Sequence, residues 1–141
     1  MIKNKKRFFN KLDKHVDDSQ AHVKRAIARS AIYVQGVAQK GIMAGIKSGT
    51  TVTKYNPSRA HQQSAAGEMP ASDTGFLVGS ISHRVRTKGK TIIGEVVASA
   101  EYAIHLEFGT TDMQARPFLQ PALDQSKAKI VSIFKQEGLI R

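Results

Sequence analysis

The chain contains no cysteine and no tryptophan, and its aromatic residues are limited to six Phe and three Tyr. The first absence removes disulfides, thiolate zinc sites and cysteine nucleophiles together, and fits a reducing compartment. The shortage of aromatics leaves no platform on which the bases of a single strand would stack. No run approaches the roughly 20 apolar residues of a membrane span. The opening "MIKNKKRFFNKL" is basic but lacks the apolar run and small-residue cleavage site of a secretion signal. Acidic residues are also scarce: 11 Asp and Glu face 22 Lys and Arg, a net charge of +11.

That charge is unevenly placed. Residues 1–29 hold nine Lys and Arg against Asp13, Asp17 and Asp18. Residues 30–67 hold Lys40, Lys47, Lys54 and Arg59 without an acid, and residues 81–90 add Arg84, Arg86, Lys88 and Lys90 without one. Acids gather later, at Glu95, Glu101, Glu107 and Asp112. Such a field favours contact with polyanions. No recognition-helix motif points to base reading.

A length of 141 residues suits one domain and buries a sizeable core without staples. Apolar residues at Leu12, Val16, Val23, Ile27, Val34, Ala38, Ile42 and Ile46 follow the helical period and predict one long helix over about Asn10–Lys47. Residues 1–9 precede it as a basic tail. Gly36, Gly41 and Gly45 each cost a helix about 1 kcal/mol relative to Ala. Either close packing offsets that cost or the helix breaks near Gly41. Ser48–Gly49 is the expected stop. Residues 48–73 have no sustained period and predict a long extended loop, with Val52–Tyr55 able to pair briefly as a strand. Ser72 or Asp73 would cap a short helical turn that Phe76 and Leu77 anchor to the core. Alternation in "SISHRVRT" and "TIIGEVVAS" about the "KGK" turn predicts a hairpin. The second strand is apolar on both sides, so it is expected inside a larger sheet.

The most unusual stretch is "EYAIHLEFGTTDMQARPFLQPAL", residues 101–123. Its first part alternates like a strand yet pairs at helical spacing, and a short helix from a Ser99 cap to Gly109 is the preferred reading. Arg116–Pro117 forces an extended entry, and a last helix runs from Pro117 or Phe118 to Glu137. The order is α+β: a long N-terminal helix and a C-terminal helix packed on a small antiparallel sheet, with a long central loop.

The polar residues of this stretch do not assemble a catalyst. His105, Glu107 and Asp112 match no metal-ligand spacing, and i, i+2 neighbours point apart on a helix. Glu101 and Glu107 fall on different faces, so they make a poor acid–base pair. Ser80, Ser82 and Ser99 lack a nucleophile elbow, and "GTT" is no phosphate loop. We therefore expect no enzyme, no cofactor and no metal. Glu107 can instead accept hydrogen bonds from backbone N–H groups of the following loop, pair with Arg116, or stand in solvent.

Residues Tyr102, Ala103, Glu107, Phe108, Gly109, Thr110, Arg116, Pro117, Phe118, Leu119, Pro121 and Ala122 resemble the signature of the tail-component family of long-tailed bacteriophages, the small tail-completion or head–tail joining proteins. Upstream, "GEMPASDTGFLVGSI" resembles the same family's pattern at Gly67, Pro70, Thr74, Gly75, Leu77, Ser80 and Ile81. The likeness covers about residues 65–125. It implies a structural virion protein without catalytic residues. Such a protein completes the tail at its head-proximal end and joins it to the neck below the portal.

The resemblance also implies partners. These are further copies of itself in a ring, a hexamer or else a dodecamer, together with the major tail tube protein and neck or head-closure proteins. Its expected place is the virion tail or neck, and the host cytoplasm during assembly, with no membrane. Arg84, Arg86, Lys88 and Lys90 would then be candidates for weak, sequence-blind contact with double-stranded DNA passing through the channel. Two other readings stand beside it: a head-closure or minor capsid connector, and a stand-alone basic nucleic-acid-binding protein.

Overall fold

A computed structural model describes residues 5–54 and 56–141. The long helix α1 runs Lys5–Ala44. It begins earlier than its apolar period suggested, because no Gly or Pro interrupts residues 5–35. The expected basic tail is therefore helical from Lys5 on, and its residues 1–4 lie outside the described residues. The helix passes unbroken through Gly36 and Gly41. At Gly41 a β-carbon would lie 2.0 Å from Met69 Sδ, so close packing is what the glycine permits there. The end comes before Ser48–Gly49. Lys47 folds back, its ammonium donating to the carbonyls of Gly41 (3.2 Å) and Met69 (2.9 Å). Burial pushes the Lys47 pKa down, opposed by the nearby Glu68.

Residues 48–73 are more ordered than the expected extended loop. They contain a hairpin of β1 (Thr51–Lys54) and β2 (Arg59–Gln62), with Val52 opposite His61. Of the brief strand expected over Val52–Tyr55, Val52–Lys54 lie in β1, and Tyr55 lies outside the described residues. Asp73 does not cap a helix. Its carboxylate faces Lys54 (3.3 Å), Arg59 (3.1 Å) and the ring of His61 (3.7 Å), tying the hairpin down. The short helix α2 (Phe76–Ser80) starts from Gly75 in a left-handed conformation, φ 80°, with no side-chain cap. Leu77 enters the core, whereas Phe76 is 62% exposed and leans on the Tyr102 ring.

Strands β3 (Ile81–Lys88) and β4 (Thr91–Ala98) pair antiparallel through a two-residue turn at Gly89–Lys90. Gly94 faces α1 so closely that a β-carbon would meet Ile27 Cγ2 at 2.7 Å. Among the described residues the sheet stops at two strands, so β4 does not lie inside a larger sheet. A short helix α3 (Ala103–Phe108) follows, starting at Tyr102 rather than at Ser99, whose hydroxyl donates to the Ser80 carbonyl at 3.2 Å. The last helix α4 spans Leu119–Gln136.

The architecture is α+β, as the sequence predicts. The C-terminal half of α1 packs against both the β3–β4 hairpin and α4. The core joins Val34, Ala38 and Ile42 of α1 to Leu77, Ile81, Ala103, Phe118 and Ala122. Small residues let α1 and α4 approach. Buried Ser30 and Ser126 each donate their hydroxyl to the carbonyl four residues back, at 2.7 and 2.6 Å, so neither is left unsatisfied. At the far end of α4, Glu137 accepts from Arg29 (2.9 Å) and Arg25 (3.4 Å) and meets the ring of His22. Arg29 first, then His22 and Arg25, hold the Glu137 carboxyl below the usual carboxylate range.

Candidate assembly interface

The corner between α3 and α4 is built around Glu107. One carboxylate oxygen accepts the backbone N–H groups of Phe118 (2.8 Å) and Leu119 (3.0 Å), and the other accepts that of Gln120 (2.9 Å). A helix leaves its first four N–H groups without internal partners. Here three go to Glu107, and the fourth position is Pro121, which has no N–H to satisfy. A negative charge at a helix N-terminus is also favoured by the helix dipole. Glu107 thus caps the last helix from the preceding one. Expected to hold the loop just after it, it holds instead the chain beyond that loop, and it does not pair with Arg116. Both carboxylate oxygens are already occupied. The Arg116 side chain lines a recess of about 250 Å³ with Lys54, His61, Asp73 and Tyr102, its Nε buried without a partner among the described residues.

The connecting loop is closed by its own backbone. Arg116 N–H donates to the Leu106 carbonyl (2.7 Å), and Thr110 N–H to that of Met113 (2.8 Å). The Thr110 hydroxyl accepts from Met113 N–H at 3.1 Å. Gly109 sits at φ 77°, where a β-carbon would be 2.8 Å from the Met113 carbonyl oxygen, so both the turn and the crowding require glycine. This loop also joins the two stretches of sequence that carry the resemblance. Gly67 N–H donates to the Ala115 carbonyl (3.0 Å), while Leu77 and Ile81 share the core with Ala103, Phe118 and Ala122. Residues 65–81 and 102–122 form one unit.

The aromatic residues of the stretch divide. Phe118 is fully buried, but Phe108 is 77% exposed and Tyr102 43%. Phe108 stands at the lip of an open apolar cleft of about 840 Å³ that runs along β4 between α1, α3 and α4. Ile93 and Val97 of β4, Ile104 of α3, and Leu123 and Phe134 of α4 also line it. Sequence reasoning did not assemble this cleft. Its signal was present: apolar residues from both faces of β4, Ile92, Val96 and Ala98 with Ile93 and Val97, line the cleft, and among the described residues no further strand pairs there.

The four candidate DNA-channel cations are not equivalent. Arg84 and Arg86 lie on the hairpin face turned away from α1 and both grip Glu95, Arg86 at 2.7 Å. Arg84 first, then Arg86, hold the Glu95 carboxyl below its usual range. Lys88 is exposed at the end of β3, and Lys90 sits in the turn beside Leu12 and Val16 of α1. The four are therefore spread over the outer half of the hairpin: Arg84 and Arg86 share one carboxylate on the face away from α1, Lys88 ends β3, and Lys90 lies on the α1 side.

Among the described residues no group of three or more His, Cys, Asp or Glu is placed to hold a metal ion. No described helix is long and apolar enough to cross a membrane. No protein-family model matches the chain, and no curated protein or solved structure matches it.

Proposed function

We propose that this protein is a structural subunit of a tailed-phage virion that completes the tail at its head-proximal end and joins it to the neck as a ring. The observation that carries this reading is the use of the residues resembling the tail-component signature. Glu107, Gly109 and Phe118 build a rigid corner, and that corner displays Ile104, 60% exposed, and Phe108, 77% exposed, to the outside. A contiguous apolar surface of this kind suits assembly with other subunits. The cationic hairpin end supports weak contact with passing DNA, since a conduit needs sequence-blind electrostatics and no tight grip.

The test is a phage lacking this protein. We expect DNA-filled heads to accumulate beside separate tails, and purified protein to restore joining when added to the tails. Accumulation of empty heads instead would move the protein to head closure or packaging. Normal yields of infectious particles would remove the structural reading altogether.

A further inference from the structure

The apolar stripe of α1 is twice as long as the body that covers it. From Ala26 to Ile42 it is buried. Towards the N-terminus it continues into solvent, and every residue from Lys5 to Ala21 is exposed. Those 17 residues form an arm about 25 Å long at 1.5 Å per residue. The arm is not polar all round: Phe8 (50% exposed), Leu12 (44%) and Val16 (55%) repeat at four-residue spacing on one face, with Phe9 (57%) beside them. An apolar stripe on an uncovered helix calls for a partner.

The same chain carries a matching surface in the cleft along β4. That cleft is a poor small-molecule site, because such sites need polar groups converging on the ligand. Its one carboxylate, Glu107, is consumed by three backbone N–H groups. It is open along its length, as a groove for a helix must be. The arm's Leu12–Val16 face skirts Lys90 and Ile92 at the hairpin tip of its own molecule but does not enter that molecule's cleft. Ile27 of α1 lines the cleft, and Phe8 lies 19 residues up the same unbroken helix, about 28 Å away. The charges are complementary. Over the arm, residues 5–21, Lys5, Lys6, Arg7, Lys11 and Lys14 outnumber Asp13, Asp17 and Asp18. Exposed Glu101 and Asp112 flank α3, whose Ile104 and Phe108 form one lip of the cleft.

We propose that the α1 arm, residues 5–21, seats its Phe8–Leu12–Val16 face in the β4–α3–α4 cleft of a second copy of this chain. The contact is heterologous: the donor's arm and the acceptor's cleft are different surfaces, so each copy both gives and receives. Repetition closes into a ring when the rotation between copies closes. The inference rests on the ring-forming reading above and supplies the contact that such a ring would use.

The experiment uses two full-length variants. In one, Leu12→Asp and Val16→Asp disable the arm; in the other, Ile104→Asp and Phe108→Asp disable the cleft. All four positions are exposed in the single chain, so the fold of each variant is expected to survive. Sedimentation velocity should show concentration-dependent association of the unaltered protein beyond a dimer. Each variant alone should associate at least roughly tenfold more weakly. Mixed in equal amounts, they should form a one-to-one dimer and nothing larger, because the arm variant keeps an intact cleft and the cleft variant an intact arm. The mixed dimer would also show that both variants are folded. An unaltered protein that stays monomeric at high concentration overturns the proposal, as does a mixture that fails to pair or an unaltered protein whose association neither variant weakens. A chain that associates in this way but does not restore joining to tails leaves the arm-in-cleft contact standing and removes the tail-end role.

Discussion

The two halves of α1 carry the same periodic stripe and meet opposite fates. From Ala26 to Ile42 the stripe is built of small and branched residues, Ala26, Ala31, Val34, Ala38 and Ile42, all under 7% exposed. From Phe8 to Val16 it is led by Phe and Leu and stays about half exposed, with Lys90 and Ile92 of the hairpin beside Leu12 and Val16. Size explains part of the difference. Alanine and serine let α4 and the hairpin approach closely, whereas Phe and Leu would hold a neighbour off and instead fill a groove brought to them. The lesson is that a helical period states that a face must be covered. It does not state which molecule covers it.

The comparison breaks if the halves respond alike to truncation. Phe118, packed beneath the body half of α1, is fully buried. Phe118→Ala should cost about 3–5 kcal/mol of stability, as aromatic cavities do. Phe8→Ala, measured at a dilution where the chain is monomeric, should cost under about 0.5 kcal/mol. Chemical denaturation of both variants checks this, and equal losses would mean that the arm is packed within its own chain.

The Glu107 corner sharpens the contrast, since the body half depends on α4 being correctly started. Glu107→Ala leaves three helix N–H groups without their acceptor and should cost about 1–3 kcal/mol. Glu107→Gln keeps an acceptor oxygen and should recover part of the loss. A melting midpoint unchanged by the alanine variant would return Glu107 to a solvent role.

The charges of the two regions can be separated by salt. Replacing Arg84, Arg86, Lys88 and Lys90 together with Gln removes four cations, two of which share Glu95. If this hairpin end meets duplex DNA, the slope of log affinity against log salt should fall by about 2.7, at roughly 0.9 per net phosphate contact. A slope that does not move would assign the DNA contact to the arm's own lysines.

The smallest effect lies where the arm leaves the body. Glu137 is held by Arg29, His22 and Arg25, and its carboxyl is lowered below the ordinary value. The unfolded chain therefore binds a proton more readily than the folded one as the pH falls. This contribution to stability is present above the ordinary carboxylate value and is lost as the pH drops through the lowered one. The melting midpoint of the unaltered protein should fall more steeply below about pH 5 than that of Glu137→Gln. Because the three partners of Glu137 are about half exposed, solvent screens the pairs and the difference should be modest; parallel pH profiles would mean that this cluster does not pin the helices.

Much of the fold was legible because local rules agreed with one another. The period of residues 12–46, the β3–β4 alternation with its glycine turn, and the proline-marked start of α4 each point to one element. Other readings failed where a side chain had a distant use. Asp73 had the chemistry of a cap but serves as an anion for the β1–β2 hairpin, and Phe76 had the size of a core anchor but stands outside with Tyr102. Residues 48–73 looked irregular because their strands are four residues long, too short to show a period.

By itself, then, the sequence determined the α+β order, the two long helices, the β3–β4 hairpin and the basic charge, because those follow from spacing, charge and turn chemistry along the chain. It did not determine that Glu107 reaches across to the N-terminus of α4, that Phe108 faces outward while Phe118 faces in, or that β4 borders a cleft. Nor did it determine that α1 outruns its own body. Each of these depends on which surfaces the other elements have already covered. Only the packed molecule fixes that, because a side chain's environment is set by neighbours far away in the chain.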